Sequence, residues 1–341
     1  MKVWRHVYQS TKGGRTYCPL DSSARVMCQA TPKFGQQVSS KYGRMASYQV
    51  EEDLRDNHGR PISRNRIQQI AQCVGDLIER KEEEWTYTLP EVVQEVKVIS
   101  LSMDGTTAHM VEEGWREVMC GTISFYNAQA DRLYSIYIGQ APEHGKAGFK
   151  IRLQREIDRV KARYPTATYV GLADGAKDNW RFLDSQVDHS ILDFWHVTEY
   201  LGEASKIVSR SRYEQKQWLE QNRHRLRYEK GAGAAILKEL KKLRKKKMGT
   251  DKRKELEQTI TYFTNHVHQM NYASYAEQKL PIGSGVTEAA CKVLVKQRLC
   301  NSGMRWKNSG VQKVLNIRSL LLSKGKWEQL WEHVDNIGIA A

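Results

Sequence analysis

Apolar residues in the amino-terminal part of the chain recur with the period of an α-helix. The pattern predicts helices near 33–45 and 47–57, and then a longer helix that starts after Ser63, whose hydroxyl suits a helix N-cap. One face of this longer helix is apolar and carries Ile67, Ile70, Val74 and Ile78. The preceding residues 1–31 are punctuated by glycine and weakly alternating, which favours a small β-ribbon.

A short helix, a glycine-containing turn and a longer helix are typical of a helix-turn-helix. Residues 32–90 are therefore predicted to be a helix-turn-helix DNA-binding region that ends in a linker at about 81–94. The longer helix would face the major groove with Arg64, Asn65, Arg66 and Gln68, and the first three are residue types that pair with guanine or adenine edges. An ordinary helical hairpin with a polar outer face is an equally good interpretation.

The pattern changes to that of β-strands between about residues 91 and 197. Strands are predicted at 95–105, 115–127, 132–139, 168–175 and 191–197, and helices at 143–164 and 178–186. Three strands at hairpin distances, followed by alternating helices and strands, predict an α/β fold with a mixed five-stranded sheet flanked by helices.

The rest of the chain is predicted to be helical. Residues 198–280 show no convincing strand and form an all-helical segment, whereas residues 281–341 return to the sheet as carboxy-terminal helices. The stretch 281–306 begins with a Gly-Ser-Gly turn and continues as a helix. That helix is predicted to bury Val293, Leu294 and Val295 and to expose Lys292, Lys296 and Arg298.

The charge balance is strongly basic, with 54 Lys and Arg residues against 39 Asp and Glu residues and a net charge of +15. Such a charge favours a polyanionic partner, nucleic acid ahead of an acidic membrane surface. Residues 238–254 alone hold ten Lys and Arg residues against two acids. Lys245, Lys246 and Lys247 in this run are predicted to contact DNA phosphates, with a solvated helical pair as the alternative. No membrane-spanning run or signal peptide is evident, so a cytoplasmic, nucleoid-associated protein is expected.

The six cysteines are scattered, without a C-x-x-C pair or a histidine at zinc-ligand spacing. They are predicted to be reduced and mostly buried. His266 and His268 have the spacing of a metal-binding pair, but a solvated pair on a helix is the favoured interpretation.

Two aspartates occupy equivalent places, because Asp104 and Asp174 each end an apolar predicted strand and each precede a glycine. If the two strands are neighbours, their carboxylates meet at one edge of the sheet. Glu288, one turn into the helix after the Gly-Ser-Gly turn, can lean over that edge. Three carboxylates repel one another unless a cation is present, and their hard oxygen atoms suit Mg²⁺ or Mn²⁺. Two such ions promote phosphodiester displacement by activating a water and stabilising the leaving oxygen.

This order of elements and acids resembles the bacterial insertion-sequence DDE transposases, which have an RNase H-like catalytic core. The resemblance covers about residues 95–325 and is carried by "SMDGT…EEGWREVMCGTIS", "GLADGAKDNW", "LDFWHVTEYL" and "PIGSGVTEAACKVLVKQRLCNSGMRW". It implies that Asp104, Asp174 and Glu288 are the catalytic, metal-binding triad. Such enzymes often insert an all-helical domain before the glutamate helix, which fits residues 198–280.

The resemblance extends to Asp193-x-x-His196, which is similar to a D/C-x-x-H element that follows the last core strand in several transposase groups. It implies that His196 donates a hydrogen bond to a phosphate, the alternative being a structural histidine bonded to Asp193. The implied partners are double-stranded DNA, both the terminal repeats of the element and its target, with a homodimer expected on the DNA. One departure is that "TYCPLD" keeps a single Cys18, where many relatives have a Cys-paired zinc-binding stretch.

A mixture of cations and an aromatic residue near the scissile strand can grip phosphates and stack on an unpaired base. The sequence offers Arg298, Arg305, Trp306 and Lys307 for this purpose, and Lys296 is also predicted to bind DNA. Alternatively, Trp306 caps the core and the cations are ordinary surface. The predicted function is metal-dependent DNA cleavage and strand transfer. A stand-alone RNase H-like nuclease and a non-catalytic DNA-binding protein descended from a transposase are the alternatives.

Overall fold

A computed structural model describes residues 4–28, 30–142, 145–245 and 248–337 of the chain. Its central sheet contains β1 (Val98–Met110), β2 (Gly114–Tyr126), β3 (Arg132–Gln140), β4 (Thr168–Ala173) and β5 (His189–Leu192). The strand order is β3-β2-β1-β4-β5. The first three strands pair antiparallel, while β4 is parallel to both β1 and β5. The α/β class and the mixed five-stranded sheet are therefore confirmed.

Helices cover both faces of this sheet. Helix α5 (Gly145–Arg163) turns Phe149, Leu153, Ile157 and Val160 to one face, as the helical period of this segment predicts. Gly121 of β2 allows the closest approach, because a Cβ atom there would lie 2.9 Å from the Phe149 ring. On the other face, a Cβ atom at Gly139 of β3 would lie 3.0 Å from both Leu294 and Leu315. Both layers are thus packed tightly against the sheet.

Two strand boundaries differ from the predicted ones. Strand β1 does not end at Gly105 but continues to Met110, because residues 104–110 keep an antiparallel partner in β2. Strand β5 ends at Leu192, and the predicted strand 191–197 is wrong beyond that point. There α7 (Phe194–Val208) begins, since the Asp193 side chain caps it by accepting a hydrogen bond from the His196 backbone N–H at 2.9 Å.

The amino-terminal helices lie close to where they were predicted. They are α2 (Pro32–Arg44), α3 (Ser47–Asp56) and α4 (Arg64–Lys81), after a short α1 (Pro19–Ser23). The Ser63 side chain accepts a hydrogen bond from the Arg66 backbone N–H, and the four predicted apolar residues of α4 are buried. Before α2, the described residues of the predicted ribbon form only isolated bridges, Tyr8 with Tyr17 and Met27 with Ala30.

The prediction that all six cysteines are reduced is wrong for one pair. Cys28 and Cys73 form a disulfide that joins the turn before α2 to the middle of α4. The remaining four, Cys18, Cys120, Cys291 and Cys300, are free thiols. No sequence pattern marked the pair, because the two residues are brought together only when α2 packs against α4.

The all-helical segment is confirmed, and the residues described between β5 and Leu280 contain no strand. After α7 it consists of α8 (Arg212–Tyr228), α9 (Ala232–Leu243), α10 (Thr250–His266) and α11 (Tyr272–Glu277), with a 3₁₀ turn at Val267–Gln269. Its apolar residues share one core cluster with the strands. The segment is thus packed against the sheet, close to the ends of β4 and β5.

The carboxy-terminal helices are α12 (Gly285–Ala290), α13 (Gln297–Leu299), α14 (Asn308–Leu322) and α15 (Lys326–Ile337). A π-helical turn, Cys291–Lys296, joins α12 to α13. Helix α14 packs on the sheet and also on the amino-terminal helices, where a Cβ atom at Gly75 of α4 would lie 2.5 Å from the Lys313 Cβ. Within the described ranges, no helix has the length and apolarity needed to cross a membrane.

The stretch between α4 and β1, predicted as a linker, lies against α15. Trp85 is buried and stacks on His333, with 5.1 Å between the ring centroids. The Thr88 backbone N–H donates to Gln329 Oε1 at 2.8 Å. These interactions fix the path of the chain from α4 into the sheet.

Candidate functional site

Asp104 and Asp174 lie at matching positions on neighbouring parallel strands. The last paired residues of β1 and β4 are Ser102 and Leu172, and each aspartate stands two residues further along its strand. Asp104 is still within β1, opposite Cys120 of β2, whereas Asp174 is the first residue after β4. The two strands are neighbours, as the sequence argument assumed, and this brings both carboxylates to one edge of the sheet.

The turn after β4 holds the Asp174 carboxylate in place. Its Oδ1 accepts hydrogen bonds from the Ala176 backbone N–H at 3.1 Å and from Asn179 Nδ2 at 3.3 Å. The Trp180 indole N–H donates to the Asp174 backbone oxygen at 2.6 Å. Asn179 and Trp180 are buried on α6 (Lys177–Leu183), so a packed helix orients this acid. The "DGAKDNW" stretch is thus one structural unit built around its first aspartate.

The Asp104 carboxylate is partly buried between β2 and the helix that carries Glu288. Its Oδ1 accepts from the Gly105 backbone N–H at 2.7 Å, and its Oδ2 lies 3.6 Å from the Cys291 thiol, which donates to it. Burial raises the pKa of Asp104, and the negative charge of Asp174 raises it further. A raised pKa caused partly by a second carboxylate is the mark of two like charges held close together.

Glu288 projects from α12, which packs against β2. The hydroxyls of Thr287 and Thr122 are 2.6 Å apart where the two elements meet, and both residues are buried. Glu288 itself is exposed, and Ser284 Oγ lies 3.4 Å from its Oε1. Cys291, one turn further along, contacts Asp104. The glutamate helix therefore lies over the same edge of the sheet as the two aspartates.

Asp193 connects the start of α7 to the turn before α12. It is fully buried, with Oδ1 accepting from the His196 backbone N–H and Oδ2 accepting from the Ser284 backbone N–H. Asp193 meets His196 through the backbone N–H, and the Nδ1 of the His196 ring lies 3.2 Å from Glu199 Oε2. His196 is half-buried, and a positive charge on it would lower the pKa of Asp104. The histidine ring thus lies within electrostatic reach of the paired aspartates.

The donor set at this edge consists of carboxylate oxygens, which bind hard divalent cations such as Mg²⁺ and Mn²⁺. The repulsion that raises the pKa of Asp104 is of the kind that such a cation offsets. Across the described residues, no three His, Cys, Asp or Glu side chains are gathered into a metal-binding group. The three predicted acids therefore share one edge without lying in one coordination shell.

The residues predicted to read DNA bases lie at the start of α4. Arg64 forms an ion pair with Glu51 at 2.6 Å and lies over the Tyr48 ring. Arg66 donates to the Cys28 backbone oxygen and to Gln69 Oε1. Asn65 is exposed. Both arginines are thus engaged within the protein, and Asn65 is the best placed of the three to meet a partner.

The prediction that Arg298 lies outside and contacts DNA is wrong. Arg298 is only 2% exposed, donates from Nε to the Tyr42 backbone oxygen at 2.9 Å, and lies between the rings of Tyr42 and Trp306. It follows Leu294 by four residues and Val295 by three, which places it on their buried face. The cation thus joins α13 to α2 in the interior.

The other basic candidates are placed differently. Trp306 donates from its indole N–H to the Leu299 backbone oxygen at 2.9 Å and is half-buried, which agrees with its predicted alternative role as a cap. Lys296, Arg305 and Lys245 are exposed. Lys246 and Lys247 lie outside the described residues. Three of the predicted cations therefore remain exposed and available to a partner.

Several residues of the site were not predicted from the sequence. Cys291 follows Glu288 by three residues and so shares its face of the helix, which was a usable signal. His266 was interpreted as part of a solvated pair, but it is buried and its Nδ1 lies 3.1 Å from Gln269 Oε1. Burial lowers its pKa. Its position beside Gly175 depends on how α10 packs, which no local pattern reveals.

The chain matches no protein-family model and no curated protein sequence. The arrangement of the acids at the sheet edge is therefore the basis on which a function can be assigned.

Proposed function

We propose that this protein is a DDE transposase with an RNase H-like core, which cuts the ends of an insertion sequence and joins them to target DNA. The proposal rests on one observation above all: Asp104 and Asp174 occupy matching positions on adjacent parallel strands, and the helix that carries Glu288 contacts Asp104 through Cys291. The strand order and the mixed pairing are compatible with an RNase H-like sheet. The helical segment between β5 and α12 fits the insertion of such enzymes.

Asp104, Asp174 and Glu288 would hold Mg²⁺ or Mn²⁺. When bound, the cations supply an activated water or hydroxyl and stabilise the leaving oxygen of the phosphodiester. The protein's own residues hold these carboxylate ligands in position. Asn179 and the Ala176 N–H both donate to Oδ1 of Asp174, the second oxygen accepts no hydrogen bond from the described residues, and Ser284 orients Glu288.

His196 is proposed to donate a hydrogen bond to a phosphate of the bound strand. Asp193 holds the first turn of α7 against the turn that leads to Glu288, so the histidine and the glutamate keep a constant relative position. An imidazole beside two carboxylates is well suited to meet the negative charge of a phosphate. In this proposal Asp193 is a positioning residue: it holds His196 and Glu288 in place and does not itself contact the phosphate.

DNA binding is supported by the excess of cations. The net charge of +15 suits a polyanion, and exposed Lys245, Lys296 and Arg305 belong to this excess. The helical unit α2–α4 would recognise the terminal repeats through Asn65. Cutting the two ends of one element requires two active sites, so we propose a homodimer on the DNA, associated with the nucleoid.

The test is strand cleavage of labelled duplexes taken from either side of the coding sequence, with Mg²⁺ or Mn²⁺. We expect Asp104→Asn, Asp174→Asn and Glu288→Gln each to abolish nicking while DNA affinity stays within about threefold. Glu203→Gln, an exposed acid of α7 paired with Lys206, is the matched control and should cut normally.

The outcomes separate the candidate functions. Full cutting by any of the three acid variants contradicts the assignment of the triad. Binding without cutting by the native protein favours the non-catalytic DNA-binding protein. Cutting without any joining of the freed 3′ end to a target plasmid favours the stand-alone nuclease.

A further inference from the structure

A groove of about 660 Å³ lies beside the turn that follows Asp174. One wall is the turn itself, with Gly175 and Lys177, and the other wall is α10 of the helical segment. The walls meet closely, because a Cβ atom at Gly175 would lie 2.6 Å from the Tyr262 ring and 3.0 Å from His266 Nε2. The groove therefore opens directly next to the carboxylate edge.

The α10 wall presents a continuous polar stripe. Its members are Lys254, Gln258, Thr261 and Asn265, four exposed residues spaced by four, three and four positions along the helix. This spacing places them on one face, over a length of about 16 Å at 1.5 Å per residue. The stripe thus carries one cation and three neutral hydrogen-bonding side chains in a row towards the Gly175 turn.

The charge of the groove favours an anion. Lys177 and Lys254 face it from the two walls, and both are exposed. Its single acid, Glu257, forms an ion pair with Arg244 at 2.5 Å, which offsets its charge. Among the described residues that line the groove, the net charge is therefore positive and comes from the two lysines. The side chains around them can donate hydrogen bonds to phosphate oxygens.

Buried groups at the base of the groove add a second, independent feature. His266 is nine-tenths buried and lines the groove. The Tyr262 hydroxyl oxygen is buried and has no hydrogen-bond partner among the described residues. Tyr262 stacks on Tyr200 with 3.9 Å between ring centroids, which holds it in this place. An unpaired buried hydroxyl next to a groove is costly unless a ligand or solvent satisfies it.

We infer that this groove binds the phosphate backbone of one DNA strand as that strand enters the carboxylate edge at Asp174. The inference rests on the proposed function and adds a second site to it. A length of about 16 Å corresponds to the rise of about five nucleotides in one strand. Lys177 and Lys254 neutralise phosphates, and Gln258, Thr261 and Asn265 bond their oxygens without reading sequence.

Two measurements test the groove, both on the full chain with a labelled duplex of about 30 base pairs. The first is the salt dependence of binding. The double variant Lys177→Gln/Lys254→Gln should lower the slope of log affinity against log salt by about 0.9 for each phosphate that it no longer neutralises. Lys324→Gln, an exposed lysine after α14, removes one positive charge elsewhere and should leave the slope unchanged.

The second measurement places a photo-reactive benzoylphenylalanine at Gln258 or, as the control, at Lys324. In the Asp104→Asn background, which is expected to bind without cutting, position 258 should cross-link one strand within about five nucleotides of the nick that the native protein makes. An unchanged salt slope in the double variant, or equal cross-linking from the two positions, overturns the groove as a DNA site. If the groove instead binds an acidic polypeptide, position 258 gives no cross-link to DNA, and this result also overturns the groove as a DNA site.

The outcomes distinguish failure of the proposed function from failure of the groove assignment alone. If the native protein makes no nick, the proposed function fails, and the inference fails with it because no scissile strand exists. If the nick is made but the groove variants bind with the native slope, only the groove assignment fails.

Discussion

The buried carboxylate of Asp193 accepts a hydrogen bond from the backbone N–H of Ser284, 91 residues further along the chain. With its other oxygen it caps α7 at the His196 N–H. One side chain therefore fixes two segments that the all-helical segment separates in sequence.

Replacing Asp193 by Ala should lower the free energy of unfolding by roughly 2–4 kcal/mol, because a buried backbone N–H is left without its acceptor and a helix cap is removed. Asp193→Asn keeps the acceptor oxygen of the cap and should reduce stability by about half as much. Urea unfolding followed by circular dichroism measures both. Asp178→Ala removes an acid paired with Lys150 at the surface and should cost less than about 1 kcal/mol. Equal effects of Asp193→Ala and Asp178→Ala would contradict this role.

The ionisation of Asp104 should lower the free energy of unfolding as the pH rises. Its folded-state pKa is raised by burial and by Asp174, so the unfolded state releases this proton more readily and gains relative to the folded state at higher pH. Asp104→Asn should therefore be more stable than the native protein near pH 8, without added divalent cations. The difference should shrink as the pH falls below the unfolded-state pKa, where the carboxyl is protonated in both states. Urea unfolding at several pH values measures it, and a constant difference would refute the explanation.

Gly175 is predicted to tolerate no side chain. A Cβ atom there would lie 2.6 Å from Tyr262, so Gly175→Ala must push α10 away from the turn that holds Asp174. We expect the variant to be less stable by about 1–3 kcal/mol, the usual cost of overpacking. Gly202→Ala is the control, because nothing lies within 4 Å of its Cβ position within α7, and it should gain up to about 1 kcal/mol. Thermal unfolding of the two variants distinguishes them.

Arg298 should contribute to stability and Lys296 to DNA binding, although the two residues are only two positions apart. Arg298→Met leaves the Tyr42 backbone oxygen without its donor and should cost about 1–3 kcal/mol of stability. Its effect on the salt slope of DNA binding should be negligible. Lys296→Gln, which changes an exposed cation, should leave unfolding unchanged and lower the slope by about 0.9 if the lysine contacts a phosphate. A fall in the slope for Arg298→Met at unchanged stability would reverse the assignment.

Asn65 is the residue on α4 to test for base recognition. Asn65→Ala should weaken binding to the cognate end by about 1–3 kcal/mol, the value of one bidentate base contact, with a much smaller effect on random duplex. Lys245→Gln should instead weaken both alike, since phosphate contacts carry no sequence information. Competition binding with the two duplexes measures this. Equal weakening on both duplexes for Asn65→Ala would make α4 a phosphate clamp, and no weakening would make it a structural hairpin.

The sequence was most informative where periodicity and end signals agree. Helix α4 and its Ser63 cap were predicted closely, because an apolar face and an N-cap both mark this helix, and α2 and α3 lie close to their predicted ranges. The equivalence of Asp104 and Asp174 was also predictable, since each ends an apolar run and precedes a glycine. That β1 and β4 are neighbours was an assumption that only the sheet could test.

The errors occur where tertiary contacts override local pattern. "ILDFWHV" is apolar nearly throughout, so periodicity did not separate the end of β5 from the start of α7 at Asp193. Arg298 was assigned to the surface because of its charge, although its spacing from Leu294 placed it inside. The Cys28–Cys73 disulfide joins residues 45 apart, and nothing local to either cysteine indicates its partner.

The packing of helix α14 has a consequence for where DNA would be positioned on the protein. It packs on β3 and on α2 and α4 at the same time, with Gly43 and Gly75 allowing a close approach of the backbones. A DNA end read by α4 would then be held at a set offset from the carboxylates, with no hinge between reading and cutting. The distance along the DNA between the recognised sequence and the cut would therefore be constant. Inserting one to five base pairs between the recognised sequence and the nick should make the cut follow the recognised sequence rather than remain at the original junction.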